Sequence, residues 1–256
     1  MTTNDSAVLI TGAAGGLGRH VADVLAQAGM TPILLDKRLP ELEAVYDRIV
    51  ARGGKKPWLY PFDLAGASEA DYQELAERIE QNGLQLFGVL HAAAELGVLG
   101  PLATQAMAAW GHVFNVNLHA PFLLTRVLLP LLQRSTRQAS VVFVSESQLR
   151  GGRAYCGAYG IAKTALESLA LTWADELASA ARVRVNVLRP GKLALPLRRR
   201  AFPVEDSSSL APLHGLDALC RYLFSDESHG INGQFFLAPD LRPVPRDQLS
   251  FFNQTV

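Results

Sequence analysis

Short runs of apolar residues alternate with amphipathic stretches along most of the chain. Runs that are apolar throughout predict strands buried on both faces of a sheet, whereas apolar residues three or four positions apart predict helices that cover it. The predicted strands span residues 7–11, 31–36, 58–63, 86–92, 140–145, 183–188 and 231–237. The predicted helices span residues 18–28, 39–52, 70–81, 110–133 and 159–181.

This alternation predicts an α/β protein with a doubly wound, mostly parallel sheet of the Rossmann type and helices on both faces. Of the 256 residues, 49% are hydrophobic, which is enough for one large core, so we expect a single domain over residues 1–256. The least regular part is residues 192–215. We interpret it either as a substrate loop over the strand ends or as a mobile, solvated connection.

Composition and charge narrow the function classes. The formal net charge is zero, so no global field attracts nucleic acid or an anionic membrane. Cys156 and Cys220 give neither a disulfide framework nor a metal-ligand spacing, and we expect both to be buried in a reducing compartment. Because His91, His112 and His119 are not at metal-ligand spacing either, no metal site is predicted. The sequence contains neither a signal peptide nor the roughly 18–20 apolar residues of a spanning helix, which predicts a cytoplasmic protein.

A glycine-rich segment follows the first predicted strand and leads into the first predicted helix. Gly12 can make a tight turn, Gly16 lets the backbone approach a pyrophosphate, and Gly18 lets the helix pack on the strand. The helix N-terminus then presents N–H groups and a positive dipole end to an anion. A glycine-rich turn without a ligand is the alternative, but an acid also ends the next strand, as in dinucleotide sites. The predicted phosphate site comprises Thr11, Gly12, Gly15, Gly16, Leu17 and Gly18.

That acid bears on the choice of cofactor. The Asp36 carboxylate can accept hydrogen bonds from the adenosine ribose hydroxyls and would repel a 2′-phosphate, which favours NAD over NADP. Lys37 or Arg38 could neutralise such a phosphate, so NADP stays open, although both residues are equally well explained as solvated charges that begin a helix. Asp63 and Leu64 are placed to meet the adenine edge, but Asp63 could instead cap the following segment.

Tyr159 and Lys163 form the candidate catalytic pair. Residues four apart lie on one face of a helix, so the phenol and the ammonium can converge on one site. The pKa of tyrosine is usually about 10, and a nearby ammonium lowers it toward the range of acid–base catalysis. This spacing is common by chance, but together with the glycine-rich segment it resembles the short-chain dehydrogenase/reductase superfamily.

The resemblance extends over nearly the whole chain. It implies that Asn117 is the helix asparagine that holds a water in the proton relay and that residues 184–191 pass the nicotinamide. Residues 231–234 match the entry to the family's last strand, and residues 152–163 and 201–206 resemble more specifically the YciK-type bacterial oxidoreductases. The resemblance also implies cofactor contacts from Ala92, Ala93, Tyr159, Lys163, Pro190, Gly191 and Leu193.

The chain departs from the family's pattern at the catalytic serine. That serine lies thirteen positions before the tyrosine, where this chain has Glu146, flanked by Ser145 and Ser147. If the strand stays extended, Glu146 faces the site, where it would raise the pKa of the phenol and could donate a hydrogen bond only when protonated. A local bulge could turn Ser145 or Ser147 inward instead. Residues 91–94 also lack the family's asparagine and glycine, and Leu195 replaces its threonine.

Two hypotheses of function follow. In the first, the chain is one dinucleotide-binding and catalytic domain that transfers a hydride between a nicotinamide cofactor and a small carbonyl or alcohol substrate. Tyr159 would donate or accept the proton, Lys163 would lower its pKa, and Glu146 would favour a cationic or amine-bearing substrate or act as an acid of raised pKa. In the second, the protein is a catalytically weak dinucleotide-binding sensor or interaction protein, because Glu146 occupies the serine position.

The resemblance and the charge pattern also indicate which partners the protein has. We expect a small-molecule substrate, and the resemblance implies a homodimer or homotetramer paired through the helices at 110–133 and 159–181. The basic run at residues 198–200 is interpreted either as an attractor for an acidic substrate or partner, or as a solvated face.

Overall fold

Eight strands lie in one sheet within the part of the chain that the computed structural model describes, namely residues 6–146, 152–238, 240 and 242–245. The strands are β1 Ser6–Thr11, β2 Thr31–Asp36, β3 Trp58–Pro61, β4 Gln85–His91, β5 Ala139–Val144, β6 Val183–Arg189, β7 Phe235–Leu237 and β8 Pro243–Val244. Their order is β3-β2-β1-β4-β5-β6-β7-β8. Neighbouring strands are parallel except β7 and β8, which are antiparallel.

Helices cover both faces of this sheet. The α-helices of the described residues are α1 Gly16–Gln27, α2 Leu39–Ala51, α3 Glu69–Gln81, α4 Met107–Phe114, α5 Ala120–Gln133, α6 Gly157–Leu177, α7 Pro196–Ala201 and α8 Asp217–Leu223. Apolar residues of α1, α2 and α8 pack on one face, and those of α3, α5 and α6 pack on the other. The structure confirms the predicted doubly wound, mostly parallel α/β fold. None of the helices described here is long and apolar enough to cross a membrane.

The central strands are apolar because both faces of the sheet are covered. Every residue of β1 and β5 is buried. In the two ladders of β1, Leu9 pairs with Ile33 on one side and with Val89 on the other. The strand order reverses between β1 and β4, and the carboxyl ends of strands on either side of such a reversal leave a crevice in which ligands bind.

The helix expected over residues 110–133 is interrupted. A π-helical turn, Asn115–His119, separates α4 from α5. The Asn117 side-chain amide donates to the carbonyl of Val113 at 2.8 Å, and Pro121 has no N–H to donate to the carbonyl four residues before it. Both features disturb the regular ladder at this point, and single π turns of this kind are common at functional sites.

The last parallel strand is shorter than expected from residues 231–237. Only Phe235–Leu237 forms the strand, and the residues before it are joined to β6 by a mixture of main-chain and side-chain hydrogen bonds. Asn232 accepts the N–H of Val185 at 2.8 Å, and Asn186 accepts the N–H of Gln234 at 3.0 Å. The third strand also ends early, at Pro61, so Asp63 lies in the following turn instead of ending the strand.

Residues 192–215 form a folded segment that borders the cavity, and we call this segment the flap. It contains α7 and an isolated bridge between Leu193 and Ala211. Arg198 is 6% exposed and forms two hydrogen bonds of 2.6 Å each with the Glu205 carboxylate. The basic run is therefore not a uniformly solvated face, because Arg198 points inward while Arg199 is exposed.

Candidate active site

A cavity of about 590 Å³ opens at the carboxyl ends of the central strands. It begins at the glycine-rich turn after β1, passes the ends of β4, β5 and β6, and is bordered by α7. This is where the reversal of strand order predicts a ligand crevice. The sequence-predicted residues that line it are Gly12, Gly15, Gly16, Leu17, Gly18, Asp36, Lys37, Asp63, Leu64, Ala92, Ala93, Ser145, Glu146, Tyr159, Lys163, Pro190, Gly191 and Leu193.

Thr11 supports the glycine-rich turn from behind. Its hydroxyl oxygen accepts the N–H groups of Ala92 and Ala93 at 3.1 and 3.0 Å, which joins the end of β1 to the segment after β4. Gly12 adopts φ +65°, and a Cβ added there would lie 2.7 Å from the Cα of Ala93. A side chain at Gly12 would therefore both strain the turn and push these two segments apart.

The glycines leave backbone exposed where a phosphate group can approach. The N–H of Gly15 donates to the carbonyl of Gly12 at 2.8 Å, and α1 begins at the next residue without a side-chain cap. A Cβ on Gly16 would lie 2.5 Å from Cδ2 of Leu195, which belongs to the flap. A Cβ on Gly18 would lie 2.8 Å from the carbonyl carbon of Gly12. The residues present thus fit the pyrophosphate of a dinucleotide at a helix N-terminus.

Asp36 lies at the end of β2, beside this turn, and is already engaged. Its carboxylate accepts the N–H of Ala14 at 3.2 Å and the Nε–H of Arg38 at 3.2 Å. The hydrogen bond from Arg38 to Asp36 raises the pKa of the guanidinium, so the two groups form an ion pair. Lys37 lies on the same rim of the cavity. The structure therefore places the carboxylate of Asp36 and the basic side chains of Lys37 and Arg38 where the adenosine ribose is expected.

Asp63 caps only the short turn that follows β3, because the N-cap of the next helix, α3, is Ser68. Its carboxylate accepts the N–H of Ala65 at 3.2 Å. Asp63 and Leu64 nevertheless both line the cavity. Capping and a place in the adenine end of the site are therefore compatible.

Tyr159 and Lys163 lie in the first two turns of α6 and are almost fully buried at the floor of the cavity. The Lys163 ammonium donates to the carbonyl of Val144 at 2.8 Å and lies 5.8 Å from the centroid of the Tyr159 ring. Burial lowers the pKa of Lys163 to about 8, against the opposing negative charges of Glu146 and Glu167. Helical spacing thus brings the two groups to one site, as predicted.

The pKa of Tyr159 departs from the expected direction. Burial raises it above the usual value of tyrosine, and the charge of Glu146 raises it further. A lowering by Lys163 was expected from the spacing alone. That lowering is not found: desolvation of the phenolate and the charge of Glu146 both raise the pKa.

Ser145 and Glu146 follow β5, and the two side chains have different surroundings. The Ser145 hydroxyl donates to the carboxylate of Glu167 at 2.6 Å, within the protein. Glu146 is half-buried, lines the cavity, and acts electrostatically on both Tyr159 and Lys163. Ser147, the other serine considered from the sequence, lies outside the described residues.

Asn117 lies behind the cavity wall in the π-helical turn. Its amide donates to the carbonyl of Glu95 at 2.8 Å, and its side-chain oxygen accepts the N–H of Glu95 at 3.4 Å. Glu95 itself lines the cavity. Asn117 therefore fixes the backbone of the wall through both functions of its amide.

Three residues near this site were not singled out from the sequence. Glu95 faces the cavity, whereas Glu167 and Arg189 form a buried pair beneath it. The four-residue spacing from Lys163 to Glu167 on one helix was the available signal. His91, in contrast, packs in the core: it stacks on Phe143, and burial lowers its pKa to about 3.

Comparison with known proteins agrees with this geometry. A family model described as short chain dehydrogenase matches residues 6–205. The oxidoreductase YciK from Escherichia coli K12 is 39% identical over 241 residues, which are 94% of this chain and 94% of that protein. A cyclohexanol dehydrogenase from Acinetobacter sp. strain SE19 is 29% identical over 244 residues, which cover 91% of this chain and 93% of that protein.

A solved structure has the same architecture. A short-chain dehydrogenase from Escherichia coli CFT073, complexed with NADPH, aligns with a TM-score of 0.87 and 39% identity. The alignment covers 93% of this chain and 98% of that chain. The fold, the cavity and these relatives together indicate an oxidoreductase with a nicotinamide cofactor.

The Gly18→Ala variant tests the glycine cradle. Its Cβ would press on the backbone of Gly12, and such overpacking costs about 1–3 kcal/mol. We expect dinucleotide binding about ten-fold weaker or worse, because 1.4 kcal/mol is a factor of ten. Fluorescence titration with NADH and NADPH measures it. Gly111→Ala is the control, because a Cβ there meets nothing within 4 Å; equal binding by both variants would contradict the assignment.

Proposed function

The chain belongs to the short-chain dehydrogenase family, and on that premise we propose that it transfers a hydride between a nicotinamide cofactor and a small carbonyl or alcohol substrate. The observation that supports this most is the burial of Tyr159 and Lys163 at the floor of the cavity that begins at the glycine cradle. In this proposal Tyr159 donates the proton in reduction and accepts it in oxidation.

Each residue of the site has its own role in the proposed reaction. When bound, the nicotinamide supplies or accepts the hydride. The phenol of Tyr159 moves the proton to or from the substrate oxygen, and the Lys163 ammonium stabilises the phenolate that remains. Val144 orients that ammonium through its carbonyl. Asn117 acts as a positioning residue, because it holds the cavity wall at Glu95.

The substrate pocket differs from that of relatives with a serine at position 146. The Ser145 hydroxyl is held by Glu167, and the neighbouring group in the cavity is the Glu146 carboxylate. An ionised carboxylate accepts hydrogen bonds only, so it suits a substrate that brings a donor or a positive charge. We therefore include amines and imines among the candidate substrates, beside neutral carbonyls and alcohols.

A second candidate function follows from the same group. Because Glu146 and burial both raise the pKa of Tyr159, the proton transfer is less favourable than in a site with a serine. This favours a protein that binds the dinucleotide but turns over slowly, as a sensor or an interaction protein. Cofactor binding without turnover is the outcome that separates the two functions.

We propose NAD as the cofactor, with NADP as the alternative. The Asp36 carboxylate suits ribose hydroxyls and opposes a 2′-phosphate, whereas Arg38 neutralises part of its charge and Lys37 adds a base. One relative binds NADPH, according to its structure, so the balance between Asp36 and Arg38 decides the preference.

We also propose where the protein resides and how many chains associate. We infer a cytoplasmic enzyme in which one domain carries both cofactor and substrate sites and residues 192–215 cover the substrate. Two copies or four would pair through α5 and α6, whose surfaces expose Phe122 and Ile161. Size-exclusion chromatography with light scattering measures the number of chains.

Tyr159→Phe tests the proposed reaction. Removing the phenolic hydroxyl takes away a proton-transfer group that contributes about 10²–10⁴-fold. We therefore expect kcat/KM to fall by at least about 100-fold, with binding of NADH and NADPH retained, on a panel of carbonyls, alcohols and imines. Tyr46→Phe, in α2 and away from the cavity, is the matched control. Turnover that survives in Tyr159→Phe would exclude this mechanism; a silent wild type that binds cofactor would favour the sensor.

Glu146→Ser and Glu146→Ala separate charge from hydrogen bonding. Loss of the carboxylate should lower the pKa of Tyr159, so the acidic limb of alcohol oxidation should move to lower pH, by about one unit, in both variants. Only Glu146→Ser restores a hydroxyl donor, so only it should raise kcat/KM for neutral carbonyls. The pH profile of kcat/KM checks both effects. If both variants lose activity, Glu146 is itself needed for turnover.

Asp36→Ala and Arg38→Ala test the cofactor preference. Without the Asp36 carboxylate, the ratio of NADPH to NADH affinity should rise by about ten-fold, because a repelled 2′-phosphate would gain about 1.4 kcal/mol. Arg38→Ala should shift the ratio the other way. Titration of wild type and variants with both cofactors measures the ratio, and a wild type that prefers NADPH would overturn the choice of NAD.

A further inference from the structure

A second set of charges lies beneath Tyr159 and Lys163, and the proposed reaction does not use it. Glu167 and Arg189 are 1% and 2% exposed. The Nε and Nη2 groups of Arg189 each donate to a different oxygen of Glu167, both at 2.8 Å. The Ser145 hydroxyl donates to the same carboxylate at 2.6 Å. Three donors thus hold one buried anion.

This anion is connected to Lys163 through adjoining backbone. Lys163 and Glu167 are four residues apart on α6, which places them on one face of the helix. Lys163 binds the carbonyl of Val144, and the next residue, Ser145, binds Glu167. The ends of β5 and β6 and the buried face of α6 therefore meet at Glu167.

Stability alone does not explain such a pair. Two buried ions lose their hydration, and replacing a buried ion pair with apolar side chains of similar size is often neutral or stabilising. Arg189 also packs its guanidinium 4.5 Å from the centroid of Phe235, in surroundings that would suit an apolar side chain. The location of the pair, directly below the buried ammonium, suggests that its charge acts on the site.

The charged and titratable groups around Lys163 come from α6, from the ends of β4 and β5, and from β6, whose Arg189 is paired with Glu167. Glu167 and Tyr159 lie on α6, and Glu146 follows β5. His91, at the end of β4, is neutral at physiological pH because its pKa is lowered to about 3. The negative charges that oppose deprotonation of Lys163 therefore belong to Glu146 and Glu167, and Glu167 is the one fixed within the protein.

We propose that Glu167, fixed by Arg189 and Ser145, is a positioning residue that keeps Lys163 protonated and directed at Val144. The role in turnover rests on the proposed function, but the charge on Lys163 does not depend on any substrate. It also assigns the Ser145 hydroxyl to the support of Glu167 instead of to the substrate.

The test uses two variants with the carboxylate removed. Glu167→Gln keeps the shape of the side chain, and Glu167→Gln with Arg189→Gln leaves no buried ion without a partner should the single variant fold poorly. Titration of Lys163 is followed by NMR of ¹³Cε-labelled lysine, assigned with Lys163→Arg. We expect its midpoint to fall by at least about half a pH unit in Glu167→Gln, because a close opposite charge favours the charged form. The double variant also removes the positive charge of Arg189, so its midpoint should fall by less.

Two controls separate charge from packing. Glu167→Asp disturbs the two-bond geometry with Arg189 but keeps the charge, so the midpoint of Lys163 should stay near that of wild type. Asp23→Asn breaks another carboxylate–arginine pair, with Arg48 at 2.9 Å, on helices distant from α6. It should leave the midpoint unchanged.

The outcome of the Lys163 titration does not depend on whether the proposed function is correct. A lowered Lys163 midpoint in the amide variants, and in neither control, supports the inference even if the substrate panel is silent. Where turnover is measurable, the basic limb of the kcat pH profile should move down with it. An unchanged midpoint in both amide variants overturns the inference whether or not wild type is active. So does an equal shift in Asp23→Asn.

Discussion

The reversal of strand order between β1 and β4 is the constraint on which the rest of this structure depends. It separates the carboxyl ends of two central strands, and the glycine-rich turn, the ends of β5 and β6 and the flap all gather around the opening. The turn after β1 and the segment after β4 pack against each other without space for a side chain at Gly12. Gly12 lies against Ala93 so closely that no Cβ is accommodated, and the Thr11 hydroxyl joins the two segments by accepting two N–H groups.

The site also contains three charged side chains that are buried. Lys163, Glu167 and Arg189 are each nearly inaccessible to water, and each is held by hydrogen bonds to backbone or to another ion. In such surroundings a single charge acts over a greater distance than at the surface, because the screening by water is weaker. Glu146, at the boundary between protein and cavity, acts electrostatically on both Tyr159 and Lys163.

Local features of the sequence were enough to predict most of the fold and to pick out residues that line the cavity near the glycine-rich turn. The glycine-rich turn and Asp36 each follow a strand whose apolar run is plain, and Tyr159 and Lys163 share one helix. Contacts between distant segments were not predictable in this way. Ser145 and Glu167 are joined only because the end of β5 packs beside α6. The π-helical turn at Asn117 likewise arises from a side chain that competes with the helix for a backbone carbonyl.

The position of Leu195 links the two halves of the cavity. Its Cδ2 atom lies 2.5 Å from where a Cβ on Gly16 would be, so the flap rests on the glycine-rich turn. A dinucleotide that presses on this contact changes the free energy of the flap, and a substrate that holds the flap changes the affinity for the dinucleotide by the same amount. A dinucleotide and a substrate that both alter the contact of Leu195 with Gly16 would therefore each change the affinity for the other.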